Sequence, residues 1–341
     1  MKSINHNFWH MLPHGFTVLA PMDGVTDVVF RQIVTSVGKP DVLFTEFVNC
    51  DGLMSVGQER VMQRLLFKKN EHPLVAQIWG INPETFYESA KLIVKLGFDG
   101  IDINMGCPQR TVTNGGACAA LIKNKSLAKE IIEATKKGSQ GLPVSVKTRI
   151  GFSKNQIDEW IQFLLEQNLS ALTIHLRTAK ELSLVPAHWE LMGKIVEMRN
   201  SINPNTILIG NGDVKNLQEA KEKSEQYGCD GVMIGRGIFS DPWLFNEKVD
   251  KDLITVEQKL DLYMKHINLF EDTWGKDKNP ASLKKFCKVY INEFPGAGEV
   301  REKIMLTESL DEMKKLITQY LIKNSADIDE MQERLEDSHP S

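Results

Sequence analysis

The sequence predicts an α/β chain: a (β/α)8 barrel followed by a small all-helical region. Three observations carry this. Eight short apolar runs of strand character recur before residue 240, mostly separated by amphipathic helical segments, at about 25–35 residues per unit. The strands close on Met22, Glu46, Gln77, Asn104, Lys147, His175, Asn211 and Gly235, residues of little use to a chain concerned only with stability. In parallel barrels that edge carries chemistry. Strand signals then stop after Asp241-Pro242. A doubly wound open sheet is the alternative, but eight units suit closure better.

The expected strands are Thr17–Ala20, Val42–Thr45, Leu74–Ile78, Gly100–Asn104, Val144–Lys147, Ala171–His175, Thr206–Gly210 and Gly231–Ile234. Thr26 or Asp27 should cap a helix to about Val37, and another helix is expected near Gln58–Phe67. Asn82-Pro83 starts a helix that Gly97 ends. Ser126 should cap a helix to Lys137. Further helices are expected over Asn155–Asn168, near Trp189–Arg199 and over Val214–Gln226. Beyond a boundary near 250, Thr255–Trp274, Ala281–Asn292 and Glu308–Leu321 read as helices. The division is therefore 1–250 barrel, 251–323 helical region and 324–341 acidic tail, frayed or disordered.

The 341 residues exceed the usual single core, and 42% hydrophobic with 25% charged residues is ordinary for a soluble protein. No apolar run approaches a membrane span, and Met1 to Gly15 is polar and His-rich, unlike a signal peptide. A cytoplasmic, non-membrane protein is expected. Five scattered cysteines with no Cys-x-x-Cys pair argue against a disulfide framework and against a zinc site, so no metal is expected. The net charge of −4 hides a tail of net −5 over 324–341 and a run of net +4 from Lys276 to Lys288. Such a run is either a solvated helix face or a footprint for an anionic partner.

The chemistry centres on Asp99-Gly-Ile-Asp-Ile-Asn-Met-Gly-Cys-Pro108, where an apolar strand gives way to a shaped loop. Cys107 could be nucleophile, base or acid; near pKa ~8.5 a thiol mostly keeps its proton at neutral pH. Lys147 either faces solvent or sits opposite an anion, and a buried ammonium would need such an anion. His175 taken alone reads as a hydrogen-bonded core residue. Asn104 and Gln77 offer amide pairs suited to a heterocycle edge. Gly210-Asn-Gly-Asp213 and Gly235-Arg-Gly237 follow the last two strands, the usual place of a barrel phosphate site, with Arg236 adding charge. Neither is a Gly-x-Gly-x-x-Gly fingerprint, which argues against a firmly bound nicotinamide.

Six motifs in order resemble the tRNA-dihydrouridine synthases. They are Ala20-Pro-Met-Asp-Gly-Val-Thr-Asp27, Asp102-Ile-Asn-Met-Gly-Cys-Pro108, Val146-Lys-Thr-Arg-Ile-Gly151, His175-Leu-Arg-Thr178, Gly210-Asn-Gly-Asp213 and Gly231-Val-Met-Ile-Gly-Arg-Gly237. Tyr290-Ile-Asn-Glu-Phe-Pro-Gly-Ala-Gly298 through Arg301 extends the resemblance beyond the barrel. It implies an FMN-dependent reductase that saturates the C5–C6 bond of selected tRNA uridines, with NADPH as transient donor. It implies flavin contacts from Pro21, Met22, Gln77, Lys147 and His175, and phosphate contacts from Asn211, Gly212, Asp213, Gly235 and Arg236. Cys107 would protonate C5 and Asn104 would hold the uracil. Arg177 and the basic residues Lys284, Lys285, Lys288 and Arg301 would meet the tRNA. A monomer without a protein partner is expected. Leu176 and Ala179 stand where many members have Gly and Arg, in a loop expected to face the tRNA. Two rivals are an FMN-dependent reductase of a free pyrimidine, like the dihydroorotate dehydrogenases, and a tRNA-binding protein without catalysis.

Overall fold

The structure, a computed structural model, describes residues 7–322; the acidic tail lies outside the described residues. The chain divides into two units, Met1–Ile238 and Phe239–Ser341. The division falls earlier than the expected 250 because 239–253 carries only short turns, whose composition marks no boundary.

The first unit is a parallel barrel. Its strands are β1 (Phe16–Leu19), β2 (Leu43–Phe44), β3 (Val48–Asn49), β4 (Leu74–Trp79), β5 (Gly100–Met105), β6 (Val144–Arg149), β7 (Ala171–His175), β8 (Ile207–Asn211) and β9 (Gly231–Ile234). The pairing order is β1-β9-β8-β7-β6-β5-β4-β2. A Val18–Val42 bridge joins β1 to the residue before β2, so eight strands close; Leu19 N–H donates to Val42 O at 3.1 Å. β3 is a short addition that pairs only with β4. It was not expected, since two residues leave no periodicity to read.

Inside the barrel, Phe16, Val18, Phe44, Val75, Ile209 and Met233 form one buried cluster. Trp9 closes its amino-terminal end, its ring 5.9 Å from Phe16 and 6.4 Å from Phe44. The polar-looking amino terminus thus supplies a core residue from a short turn, Phe8–Met11, that Asn7 caps. Burying the barrel floor leaves the opposite mouth as the open end.

Helix ends follow side-chain chemistry. The Asp27 carboxylate accepts from Phe30 N–H at 3.0 Å to start Val28–Val37. Asn82 with Pro83 starts Pro83–Leu96, and Gly97 ends it at φ +89°. Asn124, not Ser126, caps Lys125–Gly138: its Oδ1 accepts from Leu127 N–H at 3.1 Å. Ser126 lies already inside the first turn. The helix expected over Asn155–Asn168 opens with a wide π-turn, Ile157–Ile161. That turn buries Ile157, Trp160 and Ile161 together and lets the Trp160 indole donate to Thr148 Oγ1 at 2.8 Å.

Among its described residues the second unit's regular elements are all helices. Thr255 and Gln258 form a capping box for Val256–Trp274. Tyr263 stacks on Tyr290 at 4.8 Å, and His266 Nδ1 lies 2.8 Å from the Tyr290 hydroxyl. The segment expected as one helix over Ala281–Asn292 is two short ones, Ala281–Lys284 and Cys287–Tyr290, with the buried Phe286 turning between them. Ala297–Leu306 was not expected. It starts from Gly296 at φ +80° with no side-chain cap, so no polar signal announces it. A last helix occupies 310–322. No helix among the described residues is long and apolar enough to cross a membrane.

Candidate active site

The carboxyl ends of the strands converge at the open mouth. After β1, the Met22–Thr26 turn is held by Met22 N–H donating to Thr26 Oγ1 at 2.9 Å. Glu46, 3% exposed, follows β2 and accepts from Gly24 N–H at 2.6 Å and from Arg64 at 3.3 Å. Arg64 also pairs with Asp23. The first loop of the mouth is therefore fastened by a buried carboxylate from the second.

Cys107 is pinned from two sides. Asn104 Oδ1 accepts from Gly106 N–H at 3.1 Å and from Cys107 N–H at 3.0 Å. Arg149 Nε donates to Gly106 O at 2.9 Å, and its Nη1 donates to Thr178 O and Leu182 O, each at 2.9 Å. Arg149 thereby ties the cysteine loop to the loop after β7. Burial pushes the Cys107 thiol pKa up, which the nearby Arg149 and Lys147 charges only partly offset. The thiol thus keeps its proton at neutral pH, as an acid must. Among the described residues the other cysteines are buried, while Cys107 is half-exposed.

Around this thiol lies an excess of positive charge. Lys147 Nζ reaches across to Asn211 Oδ1 at 3.0 Å, and Asn211 Nδ2 donates to Met233 O at 2.8 Å. Burial first, then Arg149, lowers the Lys147 pKa to about 8, against the opposing pull of Asp102 and Cys107. Burial likewise holds His175 well below the usual imidazole range, aided by Arg149, Lys147, Arg177 and Arg236. A neutral imidazole ringed by cations is a site short of an anion.

The Arg177 guanidinium donates through Nε to Val185 O at 2.6 Å and pairs through Nη2 with Asp213; its Nη1 lies 3.1 Å from His175 Nε2. Since guanidinium only donates, Nε2 accepts, and the neutral His175 carries its proton on Nδ1. Asp213, at φ +53°, also accepts from Ala187 N–H at 2.9 Å and lies 3.2 Å from Arg236 Nη2. Beside it, Gly212 sits at φ +135°, where a Cβ would come 2.7 Å from Ala187 Cβ and 3.3 Å from the His175 ring. Only glycine fits there.

The strand ends and the loops after them carry Pro21, Met22, Asn104, Cys107, His175, Arg177, Asn211, Gly212, Asp213, Gly235 and Arg236. Gln77 and Lys147, expected as strand ends, lie two residues inside β4 and β6, Gln77 fully buried, because both strands run on past them. Arg177 differs from its expected setting: it is 2% exposed and fully engaged within the barrel. Leu176 and Ala179 are also buried, so the departures at these positions are packing changes; Leu184 is the loop residue that stands out, at 81% exposure. Lys284, Lys285, Lys288 and Arg301 belong to the other unit. Lys284 Nζ is spent on Met305 O (2.9 Å) and Thr307 O (2.5 Å), and Arg301 Nη1 donates to Ile291 O at 2.8 Å. Lys285 and Lys288 are exposed. Sequence reasoning gave Glu46 only as a strand-closing residue of the mouth, and it assigned no role to Arg149 or to the buried pair Asp102 and Ser145, whose hydroxyl donates to Asp102 Oδ1 at 2.6 Å. The signal for Asp102 was available: it shares the strand face of Asn104, two residues on.

The family model described as "Dihydrouridine synthase (Dus)" matches residues 18–326. The chain is 44% identical over 331 residues to a "Probable tRNA-dihydrouridine synthase" of Staphylococcus aureus (strain Mu50 / ATCC 700699), covering 95% of this chain and 99% of that relative. It is also 44% identical over 320 residues to a "Probable tRNA-dihydrouridine synthase 2" of Bacillus subtilis (strain 168), covering 93% and 97%. Among solved structures, 2-naphthoyl-CoA reductase matches with TM-score 0.53 and 10% identity, covering 72% of this chain and 51% of that one. Histamine dehydrogenase from Rhizobium sp. 4-9 matches with TM-score 0.52 and 14% identity, covering 74% and 48%. Those two likenesses show the shared fold.

Proposed function

The chain belongs to the dihydrouridine synthase family, and from that membership we infer that it reduces the C5–C6 bond of uridines in tRNA, with FMN as the bound cofactor and NADPH as electron donor. The observation that carries the mechanism is the placement of Cys107 in a cation-lined mouth, its loop backbone pinned by Asn104 and Arg149; burial, which pushes the thiol pKa up, suits it to act as an acid.

The residues present fit a flavin nucleotide. The surplus of cations suits its phosphate and the negative charge of a reduced ring, and Gly212 leaves backbone open where a side chain would intrude. Met22, Pro21, Gln77, Lys147 and His175 would hold the ring system. Asn211, Gly212, Gly235 and Arg236 would hold the phosphate end, with Asp213 aiming Arg236 and Arg177. Bound there, the flavin supplies a hydride for uracil C6.

The chain's own residues do the rest. Uracil is a poor electrophile, so negative charge grows toward C5 as C6 is reduced. Cys107 delivers its proton to C5, and the thiolate recovers one from solvent; a positioned acid of this kind is worth about 10²–10⁴-fold. Asn104 spends its carbonyl on the cysteine loop and one amide hydrogen on Gln77, leaving the second for a uracil carbonyl. The target base must leave its stack to enter the mouth. Lys285 and Lys288, with Lys276 and Lys303, present exposed charge for the RNA backbone.

The test incubates the protein with NADPH and unmodified tRNA and maps dihydrouridine by mass spectrometry. Dihydrouridine at defined positions is expected. NADPH consumption without dihydrouridine in any tRNA would refute the substrate. Cys107→Ala should keep flavin and tRNA binding but lose about 10²-fold or more in turnover; unchanged turnover would remove Cys107 as the acid.

A further inference from the structure

One buried ionisable group at the site is unused by this mechanism. Asp102 is fully buried within β5. Its Oδ1 accepts from Ser145 Oγ at 2.6 Å, and its Oδ2 accepts from Gln77 Nε2 at 2.7 Å. Gln77, also fully buried, turns its Oε1 to Asn104 Nδ2 at 3.0 Å. Asn104 then turns its Oδ1 to the amides of Gly106 and Cys107. Asp102, Gln77 and Asn104, on the adjacent strands β5 and β4, thus form one hydrogen-bond chain from a carboxylate to the backbone that carries the thiol, with Ser145 of β6 holding the carboxylate's other oxygen.

The chain has a direction. A carboxylate only accepts, so Gln77 must offer it the NH2 end and give Asn104 the carbonyl end. Asn104 must then offer its own NH2 to Gln77, which leaves its carbonyl for the cysteine loop. At the far end the two backbone N–H groups only donate and demand the same direction. Neither amide can flip without placing donor against donor in a buried setting, a costly arrangement.

We propose that Asp102 is a positioning residue for Cys107, acting through Gln77 and Asn104 to hold the cysteine loop in the geometry for proton delivery. The turnover consequence rests on Cys107 being the acid, as proposed above; the positioning itself does not. Without the acceptor at Asp102, Gln77 and through it Asn104 lose what orients them, and the loop is left with the Arg149 tie to Gly106 O at 2.9 Å and the Ala119 N–H donated to Cys107 O at 3.2 Å.

The experiment measures two things on Asp102→Ala and Asp102→Asn in the full-length protein. The first is the iodoacetamide labelling rate of Cys107, located by peptide mass spectrometry. The second is the kcat and tRNA KM of dihydrouridine formation. Asp102→Ala should label several-fold faster and lose roughly tenfold or more in kcat with tRNA KM little changed, the pattern of a misplaced reacting group. Asp102→Asn keeps a carbonyl for Gln77, because Ser145 Oγ can turn to accept from the new amide and donate to Ile101 O, 3.4 Å away. It should recover most of both losses. A labelling rate for Asp102→Ala equal to the parent would overturn the proposal. So would an Asp102→Asn protein as damaged as Asp102→Ala. If Asp102→Ala does not fold, Gln77→Met cuts the same chain with the carboxylate in place and should speed labelling likewise; an unchanged rate there overturns the proposal equally. Failure of Cys107 as the acid would appear separately, as turnover surviving in Cys107→Ala.

Discussion

Burying a carboxylate to aim a thiol carries a cost that depends on pH. Burial raises the Asp102 pKa to about 6, against the opposing help of Ser145, Gln77 and Lys147. A carboxylate whose folded pKa lies above its unfolded value near 3.8 takes up a proton on folding. Its favourable contribution is complete below the unfolded value and is lost as pH rises through the folded one. Asp102→Asn does not titrate, so it should gain on the parent above about pH 6, by the order of 1–3 kcal/mol. Thermal melts at pH 5.0 and pH 7.5 check this: the melting-point gain of the variant should be larger at pH 7.5. A constant difference would mean that Asp102 stays ionised throughout. The same residue shows what the sequence displays and what it does not. Its parity with Asn104 was readable, whereas the direction of the chain through Gln77 depends on β4 and β5 being neighbours in space.

At the scale of elements, close approach decides more than propensity. The helices Pro83–Leu96 and Lys125–Gly138 meet where Gly138 has no side chain; a Cβ there would lie 2.3 Å from Tyr87 O and 2.9 Å from Ala90 Cβ. Helix propensity alone favours Gly138→Ala by up to about 1 kcal/mol, less at a last helical residue. The contact is with backbone and cannot be relieved by a rotamer, so overpacking wins, at about 1–3 kcal/mol. Urea unfolding should show a lower midpoint for Gly138→Ala; a raised one would mean that the helices separate freely. The eight barrel strands were legible because each is a short apolar run between turn residues. Asn124 displaced Ser126 because two good caps stand two residues apart, and the backbone chose the earlier. The helix at Ala297–Leu306 escaped because its start depends on a glycine conformation that leaves no polar cap to read.

For the whole molecule, the basic run of the helical unit separates into structural and exposed members. Lys284 closes the carboxyl end of Ala297–Leu306 through two carbonyls, whereas Lys285 and Lys288 stand exposed. Replacing Lys285 and Lys288 with alanine should weaken tRNA binding and flatten the log–log salt slope by about one unit for each phosphate no longer neutralised. Lys284→Ala should instead lower the melting temperature and leave the slope nearly unchanged. Equal slopes for the double variant and the parent would deny these lysines a role at the RNA backbone. The sequence showed the charge run as a whole; only packing distinguishes Lys284, held at two carbonyls, from the exposed Lys285 and Lys288, the Lys285 ammonium lying 5.1 Å from the centre of the Phe286 ring.

The barrel also sets an order on its own synthesis. Phe16 stands beside Gly231, and the Phe16 ring fills the space that a Cβ at Gly231 would take, 2.5 Å away. A chain leaving the ribosome presents β1 first and β9 last of the nine strands. The opening strand therefore waits, with one edge unpaired and its aromatic side chain unburied, until nearly the whole barrel has been translated. The ring cannot be built up one finished segment at a time, because its first member is seated by its last.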